Sequence, residues 1–162
     1  MRKLKSKKIL IFTTNRADYG LLKRFIFLSR KSKIIKPSLV VTGSHLQKKY
    51  GYTIEEIKNE FNSNIHLFSN TTSESTMDLT LSKTIRGFSQ YVNEIKPDMI
   101  VVHGDRPEAL SGAIVGSFNN ILVSHIEGGE LSGTIDESIR HSVSKLSHLH
   151  FVSNQDSKKR LM

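Results

Sequence analysis

M-I-V-V-H-G-D-R-P-E-A-L-S-G-A-I-V-G-S-F, from Met99 to Phe118, is the stretch whose reading decides the fold. Met99 to Val102 is an unbroken apolar run of strand length, as expected of a strand buried on both faces. Pro107 stands where a helix would open, because its fixed φ suits a first helical position. The Ala-, Gly- and Ser-rich run to Phe118 then predicts a helix with side chains small enough to lie close against a sheet. Between strand and helix sit the ionisable residues of H-G-D-R-P-E.

The same unit repeats on both sides. Upstream, Lys8 to Thr14 reads as a strand, and Asp18 to Ser32 takes helical spacing through Leu21, Leu22, Phe25, Ile26 and Leu28. Pro37 to Thr42 is a second strand, Thr53 and Glu56 look like a capping box for a helix to about Phe61, and Asn64 to Phe68 is a short third strand. Ser69 to Ser75 reads as a polar loop. The helix after it puts Met77, Leu81, Ile85, Phe88, Val92 and Ile95 on one face before Pro97 closes it. Downstream, Ile121 to Ile126 is a strand, Thr134 and Glu137 suggest a second capping box for a helix over Ile135 to Leu146, and His148 to Val152 is the last strand. Asn154 would cap a helix from Gln155. That helix reaches Met162 after barely two turns with no closing residue, so the sequence is expected to break off within an element. Strands alternating with helices predict one α/β domain over residues 1–162: a doubly wound, mostly parallel, Rossmann-like sheet with right-handed crossovers.

Composition sets limits. At 162 residues, 37% of them hydrophobic and 24% charged, the chain is sized for one packed core. It has no cysteine, which removes disulfides and thiolate metal sites. The apolar run behind the basic tail, which includes Lys3, Lys5, Lys7 and Lys8, is too short for a signal peptide or membrane span, so a cytoplasmic protein is expected. The net charge of +9 could serve a phosphorylated ligand, nucleic acid or an anionic membrane surface. Nucleic acid is disfavoured, since aromatic residues do not interleave with the basic ones.

In an open parallel sheet, ligands bind beyond the carboxyl ends of the strands, where helix amino termini present unpaired N–H groups. The loops there are N-R-A-D-Y-G (Asn15 to Gly20), G-S-H (Gly43 to His45), H-G-D-R-P-E (His103 to Glu108) and E-G-G-E-L-S-G-T (Glu127 to Thr134). All carry glycine and ionisable residues, whereas the opposite edge looks like ordinary polar turns. Arg16 offers a fork of donors to a phosphate, beside the first helix near Asp18. Asp105 and Glu127 follow successive strands and could share a cleft for paired acid and base work. Local alternatives stay open: an Asp105–Arg106 pair, helix-terminus placement of Glu127 and Glu130, and a pair between Asp136 and Arg140 one turn apart. His103 and His125 sit at strand ends suited to hydrogen bonding in the site, while His148 and His150 read as structural. No metal spacing, Gly-rich dinucleotide fingerprint, P-loop or serine elbow occurs, so neither metal nor cofactor is expected.

V-V-H-G-D-R-P-E-A-L (Val101 to Leu110) and S-H-I-E-G-G-E-L-S-G-T-I-D-E-S-I-R-H (Ser124 to His141) resemble the hydrolysing UDP-N-acetylglucosamine 2-epimerases of sialic-acid synthesis. N-R-A-D-Y (Asn15 to Tyr19), V-T-G-S-H (Val41 to His45) and K-L-S-H-L-H (Lys145 to His150) extend the likeness over nearly the whole chain. The resemblance implies the first half of a two-domain GT-B-type enzyme, with a second, carboxyl-terminal domain missing. It implies that Asp105 and Glu127 transfer protons while UDP is eliminated to a glycal that adds water to give N-acetylmannosamine. It also implies that Arg16, Asp18, His45, Arg106, Glu130, Asp136 and Arg140 bind or orient a UDP-sugar. The missing domain would supply most uridine and pyrophosphate contacts, leaving this chain alone inactive. The apolar helix after Ser75 offers a surface for a homo-oligomer. The alternatives are a sibling epimerase for UDP-diacetamido-trideoxyglucose or GDP-N-acetylglucosamine, and a non-catalytic nucleotide-sugar-binding module.

Overall fold

The computed structural model describes residues 5–62, 64–70 and 76–162. Residues 1–4, with Lys3, and most of the expected loop at 71–75 lie outside the described residues. Six strands form one all-parallel sheet in the order β3-β2-β1-β4-β5-β6. They are β1 (Lys7–Thr13), β2 (Ile35–Val41), β3 (Ile65–Leu67), β4 (Met99–His103), β5 (Leu122–Ile126) and β6 (Leu149–Phe151). The helices are α1 (Arg16–Lys31), α2 (Ile54–Glu60), α3 (Met77–Ile95), α4 (Pro107–Phe118), α5 (Ile135–Leu146) and α6 (Gln155–Leu161). The strand order reverses direction between β1 and β4, so the doubly wound fold expected from the sequence is the observed one.

Alternation along the strands builds two cores. Leu10 and Phe12 of β1 point to the face covered by α3, α4 and α5, with Phe88, Val92, Ala113 and Val143. Ile9 and Ile11 point to the other face, with Tyr19, Leu22 and Ile26 of α1 and Ile54 and Ile57 of α2. Helix α4 lies against the sheet as closely as its small residues allow. A Cβ on Gly112 would be 2.6 Å from Val102 Cγ1, and one on Gly116 2.5 Å from Val123 Cγ2. Pro37 is tolerated inside β2 because β3 pairs only with Leu39 to Val41, so at Pro37 no further strand needs its missing N–H.

Several local expectations are corrected. Helix α1 starts at Arg16, not Asp18: Asn15 caps it, accepting from Ala17 and Asp18 N–H groups, while Asp18 reaches back to the cap in a full capping box. The Thr53–Glu56 box does not form, because the Thr53 hydroxyl is engaged 2.6 Å from His45 Nδ1. Thr134 makes no side-chain cap either; Glu137 reaches past it and accepts from Ser132 N (2.7 Å) and Gly133 N (2.6 Å). The deepest row of α3 is Thr80, Thr84, Phe88 and Val92, and Met77 is exposed. Threonines are admitted there because Thr84 Oγ1 donates to Thr80 O and accepts from Asn70 Nδ2. Pro97 does follow the end of α3, and Lys96 before it takes a left-handed φ of 49°.

Candidate active site

Beyond the carboxyl ends of β1, β4 and β5, at the point where strand order reverses, lies a cavity of about 260 Å³. Its floor and walls include Asn15, Asp18 and Leu21 from the β1 side, His103 to Arg106 after β4, Glu127 and Glu130 after β5, and Arg140 of α5. A larger, apolar groove of about 590 Å³ runs along the neighbouring sheet face between α1 and β6, and His103 and Glu127 border both. The ionisable chemistry gathers in the smaller cavity.

Asp105 and Arg140 form its central pair. Arg140 NH2 donates to Asp105 Oδ2, while its NH1 donates to Glu130 O at 2.9 Å. Two of the three local alternatives are overturned: Asp105 pairs with Arg140 instead of Arg106, and Arg140 with Asp105 instead of Asp136. The cause is orientation, since Arg140 is buried on the sheet-facing side of α5 and Asp136 is exposed in its first turn.

Glu127 is held in an unusual conformation. Its φ is +65°, a region that non-glycine residues rarely adopt, and its N–H is fixed to Phe151 O at 2.8 Å. Its side chain keeps 42% exposure, and Oε2 lies 3.2 Å from His103 Nε2. The pair is within ion-pair distance, yet His103 Nε2 is buried and makes no hydrogen bond among the described residues. An orphaned nitrogen beside a strained carboxylate at a cavity mouth is the least satisfied polar spot in this region.

A family model described as UDP-N-acetylglucosamine 2-epimerase matches residues 28–162. The chain belongs to this epimerase family. It is 47% identical to UDP-N-acetylglucosamine 2-epimerase of Neisseria meningitidis serogroup B over 96% of its own length and 41% of that protein. It is 40% identical to UDP-N,N'-diacetylbacillosamine 2-epimerase (hydrolyzing) of Legionella pneumophila, covering 96% of this chain and 42% of the relative. The chain thus spans about two-fifths of the relatives it matches. The fold agrees with that of UDP-GlcNAc 2-epimerase from Neisseria meningitidis bound to UDP-GlcNAc, at TM-score 0.81 and 22% identity over 95% of this chain and 42% of that one.

Within this epimerase fold, the remaining residues singled out by sequence divide in two. Arg106 and Glu130 line the cavity, although Glu130 Oε1 already accepts from Ser153 and, at 2.9 Å, from Asn154. Asp18 borders it but is buried, with both oxygens taken: Oδ1 by Thr13, Oδ2 by the Thr14 hydroxyl (2.7 Å) and the Thr14 N–H (2.9 Å). Burial alone would raise the Asp18 pKa, yet the His45 ring 3.9 Å away and hydrogen bonds from Thr13 and Thr14 outweigh it and hold the carboxyl below its usual value. His45 is fully buried, 3.0 Å from Thr13 Oγ1, and does not reach the cavity. Arg16 is absent from the lining: its side chain is 77% exposed and turns to Glu56, 3.7 Å away. Asp136 is outside it as well.

The sequence reading passed over Ser144 and Gly128. His125 Nε2 lies 2.8 Å from Gly104 O, and Nδ1 lies 3.1 Å from Ser144 Oγ. Ser144 follows Arg140 by one helical turn, so the shared face of α5 was a signal that could have found it. A Cβ on Gly128 would stand 2.9 Å from both His125 Nδ1 and Ser144 Oγ.

Proposed function

We propose that this chain is the nucleotide-sugar portion of a hydrolysing UDP-N-acetylglucosamine 2-epimerase. The observation that carries the reading is the convergence of Asp105 and Glu127, from adjacent parallel strands, on one cavity that Arg140 also lines. In the proposed reaction the hydrogen on the carbon beside the anomeric centre leaves as a proton. Its C–H electrons form the glycal double bond as the anomeric C–O bond breaks and UDP departs. Water then returns OH to the anomeric carbon and H to its neighbour from the other face, giving N-acetylmannosamine. Glu127, open to the cavity, and Asp105, held by Arg140, are the proton-transfer groups; Arg106 faces the departing phosphates. An ionisable pair fixed on short loops of a rigid sheet suits such work, since general acid–base groups need position first.

A sibling substrate is the second reading, and it rests on a separate observation. Hydrolysing relatives named for UDP- or GDP-linked N,N'-diacetylbacillosamine are 40% and 38% identical to this chain. The rest of the relatives' length is proposed to complete the site, and the open apolar groove beside the cavity gives further chain a surface to pack on. The 162-residue chain alone is therefore expected to turn over negligibly, because lost positioning is worth roughly 7–11 kcal/mol of barrier.

The test assays the enzyme that carries this segment with both sugar nucleotides in D2O. Free UDP and N-acetylmannosamine deuterated at the epimerised carbon are expected, with kcat at least about 100-fold lower for Asp105→Asn or Glu127→Gln. UDP-N-acetylmannosamine as sole product would refute the hydrolysing branch. Full activity of both variants would refute the site.

A further inference from the structure

We infer that His125 is a positioning residue, a strut that fixes the Asp105 loop against the helix that carries Arg140. Its bearing on catalysis rests on the epimerase reading above. His125 is fully buried near the end of β5 and does not line the cavity. Gly104 O can only accept, so Nε2 carries the hydrogen and donates at 2.8 Å; Nδ1 then accepts from the Ser144 hydroxyl at 3.1 Å. Gly104, itself in a left-handed φ of 70°, immediately precedes Asp105. Ser144 is one turn beyond Arg140, whose guanidinium closes the circuit on Asp105. Five residues from the loop after β4, from β5 and from α5 thus form one ring of contacts, and only Gly104, Asp105 and Arg140 of it meet the cavity.

The ring's chemistry is locked. Burial pushes His125 down to about 4, against the opposing pull of the Gly104 carbonyl, and the groups that face it, His150, His103 and Arg140, all disfavour a second proton. The strut therefore keeps one tautomer across neutral pH. Gly128 completes it, since any side chain there would press on the His125–Ser144 bond.

The experiment compares His125→Gln, which keeps a donor near Nε2, with His125→Leu, which removes it at similar volume, and with Gly128→Ala, which leaves both partners but crowds them. Histidine 15N NMR is expected to find His125 as the neutral Nε2–H tautomer from about pH 5.5 to 8, with its Nδ1 resonance moved in Gly128→Ala. In the enzyme carrying this segment, kcat is expected to fall on the order of 100-fold in His125→Leu and to recover to within about fivefold in His125→Gln, with KM changed by less than about twofold. Titration of His125 near its ordinary value, a proton on Nδ1, or equal kcat losses in the Gln and Leu variants would overturn the strut. If the wild-type enzyme turns over no nucleotide sugar, the epimerase reading falls. The strut is then judged by Arg140 side-chain resonances, which must shift in His125→Leu and not in His125→Gln.

Discussion

Glycine at position 127 is expected to make the fold more stable than alanine there, the reverse of the order on a helix. Glu127 has φ +65°, and a left-handed conformation costs an L-residue about 1–2 kcal/mol. Glutamate and alanine both carry that penalty. Glycine escapes it but gives up about 0.5–1 kcal/mol more backbone entropy on folding. The net gap is about 1 kcal/mol in favour of Glu127→Gly over Glu127→Ala. Both variants lose the same carboxylate, so electrostatic consequences cancel in the comparison. Gly20 is the internal control: it lies on α1, and a Cβ there would meet nothing within 4 Å. Gly20→Ala should therefore stabilise by about 1 kcal/mol. Urea unfolding at pH 7 reads both, and each kcal/mol is also worth roughly 2–4 °C of midpoint for a chain of this size. Glu127→Ala as stable as Glu127→Gly would refute the claim that strain is held at this carboxylate.

Gly116→Ala is expected to destabilise by up to about 2 kcal/mol, because overpacking against Val123 and Ile100 at about 1–3 kcal/mol exceeds the helical gain of about 1 kcal/mol; calorimetry reads the sign. His125 has a folded pKa lowered from 6.5 to about 4, so its stabilisation is complete above pH 6.5 and is lost as pH falls toward 4. At about 1.4 kcal/mol per unit the loss reaches about 3 kcal/mol, and denaturation of His125→Gln should be flatter across that window. Asp18 has its folded pKa below 3.8, so its contribution holds above 3.8 and disappears as pH falls through the lower folded value. Asp18→Asn should remove that acid slope in urea midpoints taken from pH 5 to 2.

The parallel sheet was legible because its strands are apolar runs buried on both faces and its helices carry a different period. β4 and α4 match the reading from Met99 and Pro107 almost residue for residue. The site was legible as a place, because loops after strands collect the ionisable residues. What each residue does there was not legible. Asp105 had a charged neighbour in sequence, but its partner is Arg140, brought by α5, which the chain reaches only after passing through α4 and β5. Asp18, in the first turn of α1, and His45, in the turn after β2, belong to sequence as polar as any other, and only three-dimensional packing turns them inward to tie the ends of β1 and β2 together. Capping boxes failed for a related reason: Thr53 and Glu137 found tertiary or longer-reaching partners that local spacing does not encode.

Most charges at the cavity are already spent on holding the cavity, and this bears on which group meets an anionic ligand. Asp18 is satisfied by Thr13 and Thr14, Glu130 by Ser153 and Asn154, and Arg140 by Asp105 and Glu130 O. Arg106 is exposed, caps α4 through its backbone, and its guanidinium makes no ion pair or hydrogen bond among the described residues. It is the cation at the rim that a phosphate can take without breaking anything, beside the amino terminus of α4. Arg106→Met is therefore expected to leave the unfolding free energy within about 0.5 kcal/mol of wild type, as for a surface change. UDP affinity should fall about 10- to 100-fold, the worth of one charge-assisted hydrogen bond at about 1.5–3 kcal/mol. Titration calorimetry with UDP on the enzyme carrying this segment, at two salt concentrations, measures it. Unchanged affinity, or a loss matched by Arg16→Met, whose side chain already leans on Glu56, would mean that the phosphates do not lie at α4.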